Sequence, residues 1–394
     1  MRIAHLADAH LGFRQFQRLD PAGVNQREAD VAAAFRQAID AVLARSPDAV
    51  VIAGDLFHSV RPTNRSIIEA FTQLGRLRGA LPEAPVVLIA GNHDTPRSAE
   101  AGSILKLMAS LGVDVVDEDA RRLSYPRAGL SVQAVPHAAL LADRGGRAWR
   151  PDPAARHNVL VLHPEVAGFF PEQGTSDYGG VRVEPDVLTR EPWSYVALGH
   201  YHVVTEVAPR VWYSGSLEYT SPNVWGEWRE ERRRGVAKGI LIADLDAGTV
   251  ERVPLAPGRP IQDLPRLDAR GMSAAQLDGA VQGRVAGIAG GLAGTLTRLV
   301  VENVPRPLAH ALDHAALRAL KAQALHFHLD LRRPEPARRT VGVGGPGPRV
   351  TLTDVVADYL GRRPLDAELD RGRLVALGRE YLDAVERALV EGGA

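Results

Sequence analysis

The chain has 394 residues, 45% of them hydrophobic and 24% charged, and its 47 Lys+Arg balance its 47 Asp+Glu, so the formal net charge is zero. This leaves room for two or three domains and a large core. It excludes the strongly basic composition that would by itself announce a nucleic-acid binder, so any DNA contact has to come from a local basic surface or a partner. There is no cysteine, which excludes disulfides and thiolate metal sites, fits a reducing compartment, and leaves nitrogen and oxygen donors for any metal.

The first strand is expected at Ile3–Ala7, followed by a helical spacing over Val31–Leu43. Strands at Ala49–Ala53 and Val86–Ala90 bracket a second helical pattern at Ser66–Leu77. Further strands are expected at Leu130–Val135, Val159–Leu162, Tyr195–Leu198, Val211–Ser214 and Gly239–Ala243. Several of these runs are apolar without alternation, as strands buried on both faces are. Strands alternating with helices are the α/β signature. No leader pattern precedes Arg2 and no apolar run reaches roughly 18 residues, so a soluble, cytoplasmic protein without a membrane span is expected.

Composition shifts at Val253–Pro260. Beyond it, Ile261–Leu264, Ser273–Ile288, Thr297–Val301, Leu308–Ala322 and Leu325–Leu331 read as a small β-α-β-α-β unit. A Pro/Gly/Arg stretch from Arg332 to Arg349 reads as a linker. Two helices follow, Thr351–Gly361 with Thr353-Asp354 as its cap and one from about Asp366 to Val390. Their apolar stripe includes Val355, Tyr359, Leu377 and Tyr381 and suits a partner.

The chemistry sits where the apolar runs end: Asp8-Ala9-His10, Gly54-Asp55-Leu56-Phe57-His58, Gly91-Asn92-His93-Asp94, Leu162-His163-Pro164 and Gly199-His200-Tyr201-His202. In open α/β sheets ligands gather beyond the carboxyl ends of strands. A single Asp, Asn or His there is an ordinary turn residue. Together Asp8, His10, Asp55, Asn92, His163, His200 and His202 form a carboxylate, amide and imidazole set suited to a pair of divalent ions, with manganese, iron or zinc preferred over calcium. Such a pair serves cleavage of a phosphate ester. His200 and His202, one residue apart on an expected extended segment, would project to one side and act together. His326-x-His328 has no carboxylate motif beside it and reads as a strand face. His310 and His314, four apart on one helix, read as surface or packing residues. His137 is a site-lining position rather than a ligand, and His5 and His157 are structural. Arg14, Arg18, Arg61, Arg65, Arg97 and Arg232–Arg234 are candidate phosphate contacts. Trp225 and Trp228 are open between base stacking and packing.

These motifs in this order resemble the calcineurin-like metallophosphoesterases. Asp8-Ala9-His10-Leu11-Gly12, Gly54-Asp55-Leu56-Phe57-His58, Gly215-Ser216-Leu217-Glu218-Tyr219 and Lys238-Gly239-Ile240 narrow the likeness to the SbcD family of DNA-repair nucleases, the counterpart of the meiotic-recombination-eleven nuclease. The resemblance is strong over residues 1–255 and looser beyond. It implies a β-sandwich flanked by helices with a small α/β capping domain and C-terminal helices. It divides the chain into a nuclease domain at 1–258, a capping, DNA-binding domain at 259–333, a flexible linker at 334–350 and a partner-binding helical region at 351–394. It implies one ion held by Asp8, His10, Asp55 and His202 and a second by Asp55, Asn92, His163 and His200, manganese being the expected metal. It makes His93 the catalytic histidine, His58 a transition-state support and Asp94 the acceptor that orients His93. It further implies a homodimer that cuts DNA ends, with 3′-to-5′ exonuclease and single-strand endonuclease activity, and an SbcC-type SMC-like ATPase gripped by the C-terminal helices. Ala9 and Pro164 depart from the family's usual residues without touching the ligand set. The rivals are another phosphoesterase, against which Leu56-Phe57-His58-Ser59 stands where phosphatases carry Asp-Arg-Gly, and a catalytically inert DNA-end scaffold.

Overall fold

The computed structural model describes residues 1–96, 102–142, 149–169, 180–256, 258–334, 352–362 and 370–391, with side chains in the last helix given to residue 382. Two compact units emerge, 1–334 and 335–394.

The first unit opens with β1 (Arg2–Leu6), α1 (Gln26–Arg45), β2 (Ala49–Ile52), α2 (Asn64–Ala80) and β3 (Val86–Ile89). There follow β4 (Asp114–Val116), β5 (Arg121–Tyr125), β6 (Leu130–Val135), α3 (His137–Ala142) and β7 (His157–Leu162). Next come β8 (Glu165–Val166), β9 (Arg182–Val183), α4 (Pro185–Thr189), β10 (Tyr195–Leu198), β11 (Thr205–Ala208) and β12 (Val211–Tyr213). Helix α5 (Val224–Arg234), β13 (Gly239–Asp244) and β14 (Thr249–Pro254) close this part.

Two six-stranded sheets result, ordered β14-β13-β1-β2-β3-β4 and β11-β12-β10-β7-β6-β5. Alternation along each strand explains the layering. Ala4, Leu6, Val50, Ile52, Val86 and Leu88 pack with Phe35, Ile39 and Leu74 of α1 and α2. Ile3, Val51, Val87 and Ile89 point the other way, against Val132, Val159, Val161 and Ala197 of the second sheet. The outer face of the second sheet carries Leu160, Leu162, Val196 and Leu198 under Leu140 and Leu188 of the short helices. Each Val, Leu, Ile or Phe among these gains about 1.5–3 kcal/mol on leaving water, which is why these strands read as continuous apolar runs. The expected α/β sandwich flanked by helices is therefore present.

The small module consists of β15 (Ile261–Asp268), α6 (Ala274–Ala286), β16 (Leu296–Glu302), α7 (Arg306–His310), α8 (His314–Gln323) and β17 (His326–Leu331). Its strands form an all-parallel sheet in that order. The single helix expected over Leu308–Ala322 is two: Asp313 accepts the Ala315 and Ala316 N–H groups and caps a new start. His310 and His314 thus end one helix and begin another. A buried network ties the module to the sandwich. Arg27 donates to Asp30, Glu218 and the Tyr219 carbonyl, while Arg259 reaches Asp30 and the Gly258 N–H reaches Glu218.

In the second unit α9 (Leu352–Arg362) and α10 (Arg371–Glu391) pack together closely enough that a Cβ at Gly378 would lie 2.7 Å from Leu360. Thr353-Asp354 fall inside the first turn of α9 rather than capping it; α10 is described from Arg371, and the start expected near Asp366 lies outside the described residues. Leu352, Val355, Tyr359, Leu377 and Tyr381 are exposed. The expected linker beyond Arg332, Arg333 and Pro334, and Arg97, lie outside the described residues. Among the described residues no helix is long and apolar enough to cross a membrane.

Candidate metal centre

The carboxyl ends of β1, β2 and β3 in one sheet face those of β7 and β10 in the other. Asp8 and His10, Asp55, Asn92, His163, and His200 and His202 leave these ends in turn. Eight described non-glycine residues have positive φ, and Asp8 (+52°), His10 (+48°), Asp55 (+52°) and His200 (+95°) are four of them. Backbone in this region costs non-glycine residues free energy and persists only where surroundings over-determine it. Here the loops brace one another. Asp8 N–H donates to the Gly54 carbonyl at 3.0 Å, His10 N–H to Asp55 at 2.9 Å and Leu11 N–H to Leu56 at 2.9 Å. The buried Asp94 carboxylate accepts from Leu56, Phe57 and Gly91 N–H at 3.1, 3.0 and 3.2 Å. Asp94 therefore braces the Asp55 loop rather than orienting His93 as expected. Burial and the charge of Asp55 push its carboxyl up to about 7.

Two glycines make the convergence possible. A Cβ at Gly91 would stand 2.1 Å from Asp55 Oδ1, and one at Gly199 would stand 2.0 Å from the Ala53 carbonyl oxygen and 2.5 Å from His163 Nδ1.

Two overlapping clusters result. In one, His10 Nε2 and His202 Nε2 are 3.1 Å apart, with Asp55 Oδ2 3.7 Å from the former. Asp8 joins this pair within a ligand-compatible spacing. In the other, Asn92 Oδ1 lies 3.0 Å from both His163 Nε2 and His200 Nδ1, and Asp55 Oδ2 lies 3.2 Å from His163 Nε2. Asp55 is common to both, and Asp8 Oδ1 also lies 3.8 Å from His163 Nε2. His200 and His202 do not act on one point as the extended-segment argument expects. With His200 in the left-handed region the two-residue rule fails, and the rings enter different clusters.

The donor chemistry fits divalent cations. His163 Nδ1–H donates to the Ala53 carbonyl at 2.7 Å, which aims Nε2 at the acceptor oxygens of Asn92 and Asp55, where a proton or a cation must lie. Acceptors that face acceptors repel unless a proton or a cation lies among them. The pocket's charge says the same. Burial opposes a charged His163, but Asp55 and then Asp8 outweigh it and raise the imidazole to about 9. Burial also opposes ionised Asp55, yet His163 and then His10 hold its carboxyl well below the usual range. Burial raises Asp8 and drives His10 well down. Two buried carboxylates thus share a cavity walled by imidazoles, and among the described residues no Lys or Arg pairs with either.

Residues 1–204 match the calcineurin-like phosphoesterase family. This chain belongs to that family. It is similar to the DNA double-strand break repair protein Mre11 of Thermoplasma acidophilum, at 30% identity over 271 residues, covering 65% of this chain and 66% of the relative. The proteins of the same description from Methanopyrus kandleri and Methanocaldococcus jannaschii are 29% and 25% identical, over 63% and 65% of this chain and 55% and 67% of theirs. The chain thus spans between about half and two thirds of the length of these relatives.

In this phosphoesterase His93 stands beside the donors. Its N–H donates to Asp55 Oδ1 at 2.9 Å, and its ring is 4.8 Å from that of His10. Its orienting acceptor is the His58 carbonyl, 2.8 Å from Nδ1. The His58 ring stacks on His93 at 5.1 Å and packs edge-on to Phe13 at 5.0 Å; burial lowers it to about 4, so it is neutral.

Two carboxylates escaped the sequence reading. Glu165 Oε1 lies 3.3 Å from His200 Nε2, behind the ring relative to Asn92. Glu227 Oε2 lies 3.8 Å from His202 Nδ1. Burial would raise Glu227, but the Lys238 ammonium and then His202 bring it to about 2. Glu165 follows the Leu-His-Pro motif directly, a usable signal; Glu227 sits in a charged helix with none.

His137 is buried nearby, with no donor contact of its own among the described residues, and burial and His163 lower it to about 4. His5 bonds the Tyr195 hydroxyl at 2.9 Å, a structural role. His157 lies 3.4 Å from Asp246, at the amino end of β7, the end opposite the one that carries His163. Several candidate phosphate contacts are engaged within the chain: Arg14 with Glu28, Arg18 with the carbonyls of Ala322 and Ala324, and Arg234 with Glu230. Arg61, Arg65, Arg232 and Arg233 are exposed. Trp225 is packed, 8% exposed.

Proposed function

We propose that this phosphoesterase is a two-metal DNA nuclease. The observation that carries the reading is the inward-facing set of acceptor atoms on Asp8, His10, Asp55, Asn92, His163, His200 and His202, supplied by five strand ends. Asp8, His10, Asp55 and His202 would hold one divalent ion, and Asp55, Asn92, His163 and His200 the other. Manganese is the ion favoured. When bound, such ions neutralise charge on phosphoryl oxygens and make water acidic enough to serve as a nucleophile near neutral pH.

The chain's own groups do the rest. The His58 carbonyl fixes His93 with Nδ1 as the donor, so Nε2 is the nitrogen that exchanges a proton with the departing oxygen. The His58 ring stacks on one face of His93 and is itself backed edge-on by Phe13. The neutral His58 imidazole supports the transition state by hydrogen bonding. Exposed Arg61 and Arg65, on the segment after His58, suit the phosphates of a polymeric substrate. Residues 259–333 would act as a capping, DNA-binding domain. The similarity to DNA double-strand break repair proteins supports DNA ends as substrate, with 3′-to-5′ exonuclease and single-strand endonuclease action, in a cytoplasmic homodimer. The exposed apolar side chains of α9 and α10 suit an SbcC-type SMC-like ATPase.

The test is a manganese titration of cleavage on linear duplex, single-stranded, hairpin and small phosphodiester substrates. Cleavage of the small diester with none of DNA would overturn the reading in favour of another phosphoesterase. Cleavage of nothing, with metal bound, would leave a scaffold.

A further inference from the structure

Helix α5 has two working faces. Glu227 and Glu231, spaced i, i+4, are buried on one face of the helix beside Lys238 of the sandwich, while Val224 packs with Ile261, Leu296 and Leu325 of the small module. Lys238 donates to Glu227, to Ser216 Oγ at 2.7 Å and to the carbonyl of His202 itself at 2.8 Å, and forms an ion pair with Glu231 at 3.0 Å. Glu227 Oε2 lies 3.8 Å from the His202 ring nitrogen opposite the one that meets His10, beside the Thr220 hydroxyl, which is 3.4 Å from the same nitrogen. The other face meets the small module along a single rung of its sheet. Asp263, Arg298 and His328 are register partners across β15, β16 and β17. Trp225 stacks on His328 at 5.4 Å, and Arg298 lies 5.2 Å over the Trp225 ring. Arg298 grips Asp263 with two bonds of 2.9 and 2.7 Å, and Arg229 reaches Asp263 at 3.4 Å.

We propose that α5 couples the small module to the metal centre, with Glu227 as the positioning residue for His202. The claim rests on the two-metal reading above. A carboxylate behind a ligating imidazole sets the tautomer and aim of the ring. Trp225 and Glu227 are two residues apart on a rigid helix, so a shift of the module on its Trp225 contact moves the carboxylate against His202. Stability alone does not account for the arrangement, since burying Glu227, Lys238 and Glu231 together costs desolvation that apolar side chains would avoid. What three fixed charges supply is orientation.

The experiment counts manganese sites on the full chain by electron paramagnetic resonance of free ion, alongside circular dichroism. Glu227→Gln is expected to weaken one of the two sites roughly 10–100-fold and leave the other unchanged. Trp225→Ala, which touches no donor, is expected to weaken that same site by less, and to add nothing in the Glu227→Gln background. Trp225→Phe, which keeps the stack, is expected to restore wild-type affinity. Should Glu227→Gln not fold, the Trp225 pair carries the test alone. Unchanged sites in Glu227→Gln, a Trp225→Ala effect on neither site or on both alike, or additive effects in the double variant would overturn the coupling. If the unaltered chain binds no pair of ions, or Asp55→Ala binds them normally, the two-metal reading falls first and takes this inference with it.

Discussion

The chain contains two His-x-His pairs, and they have opposite surroundings. His200-x-His202 leaves the end of β10 through a residue with φ +95°, and its rings separate into two clusters near Asp8, Asp55, Glu165 and Glu227. His326-x-His328 lies on regular strand. His326 stacks on Phe16 at 3.8 Å and His328 on Trp225, with Arg298 over the same indole. The first pair is ringed by carboxylates, which favour a cation; the second is ringed by aromatic faces and cations, which do not. Spacing alone is therefore silent, and the charge of the neighbours decides what a histidine pair can do.

The comparison breaks most sharply at the shared carboxylate. Asp55→Ala is expected to abolish both manganese sites and all cleavage, whereas a His326→Ala, His328→Ala double variant should keep the metal stoichiometry of the wild type. Equilibrium dialysis against manganese measures both. Next in size is His93→Ala, which should bind metal normally and lose cleavage by roughly 10²–10⁴-fold. Normal cutting by that variant would remove His93 from its proposed role. Third is Gly199→Ala. Its Cβ would collide with the Ala53 carbonyl and His163 Nδ1, so it should cost about 2–3 kcal/mol of stability and disturb the site that includes His163. Thermal unfolding with and without manganese reads this, and the stabilisation by metal should shrink. Gly279→Ala in the small module, an exposed helix-interior position where a Cβ meets nothing within 4 Å, should instead raise stability by about 0.5–1 kcal/mol and leave the stabilisation by metal where it is.

The same contrast explains what the sequence revealed. Strands such as β1, β2, β3, β7 and β10 are buried on both faces, so apolar residues run unbroken and the strand ends can be placed to within a residue or two. Strands β5 and β14 lie at sheet edges with charged residues such as Arg121, Arg122, Glu251 and Arg252 exposed; their pattern is that of a loop. The break between α7 and α8 was signalled by Asp313, a capping residue inside an otherwise helical period. The residue types at the metal centre were legible because the chemistry needs them at strand ends. Their partition was not, because it follows from the left-handed turn at His200, and that turn depends on Asp8 accepting the His200 N–H at 3.0 Å from a different sheet. Asp94, Glu165 and Glu227 were misread or missed for the same reason. Each acts through a neighbour far away in the chain, and sequence spacing carries no trace of it.

The smallest expected effect belongs to the second histidine pair and concerns pH. Burial, then His328 and Lys321, lower His326 to about 4, against 6.5 for a free imidazole. A group with a depressed folded pKa binds fewer protons folded than unfolded. Its penalty is therefore absent at pH 7, begins as pH falls below 6.5, and is fully developed below about 4. Protonation places a cation on the Phe16 stack next to Lys321 and His328, so this contact between the small module and the sandwich should be the one that acid weakens. In His326→Asn the loss of stability between pH 7 and 4 should be shallower than in the wild type, at a fixed cost of about 1 kcal/mol for the missing stack. Chemical denaturation at a series of pH values gives both slopes. Parallel curves would mean that His326 does not sense pH and that the module's acid sensitivity arises from other groups.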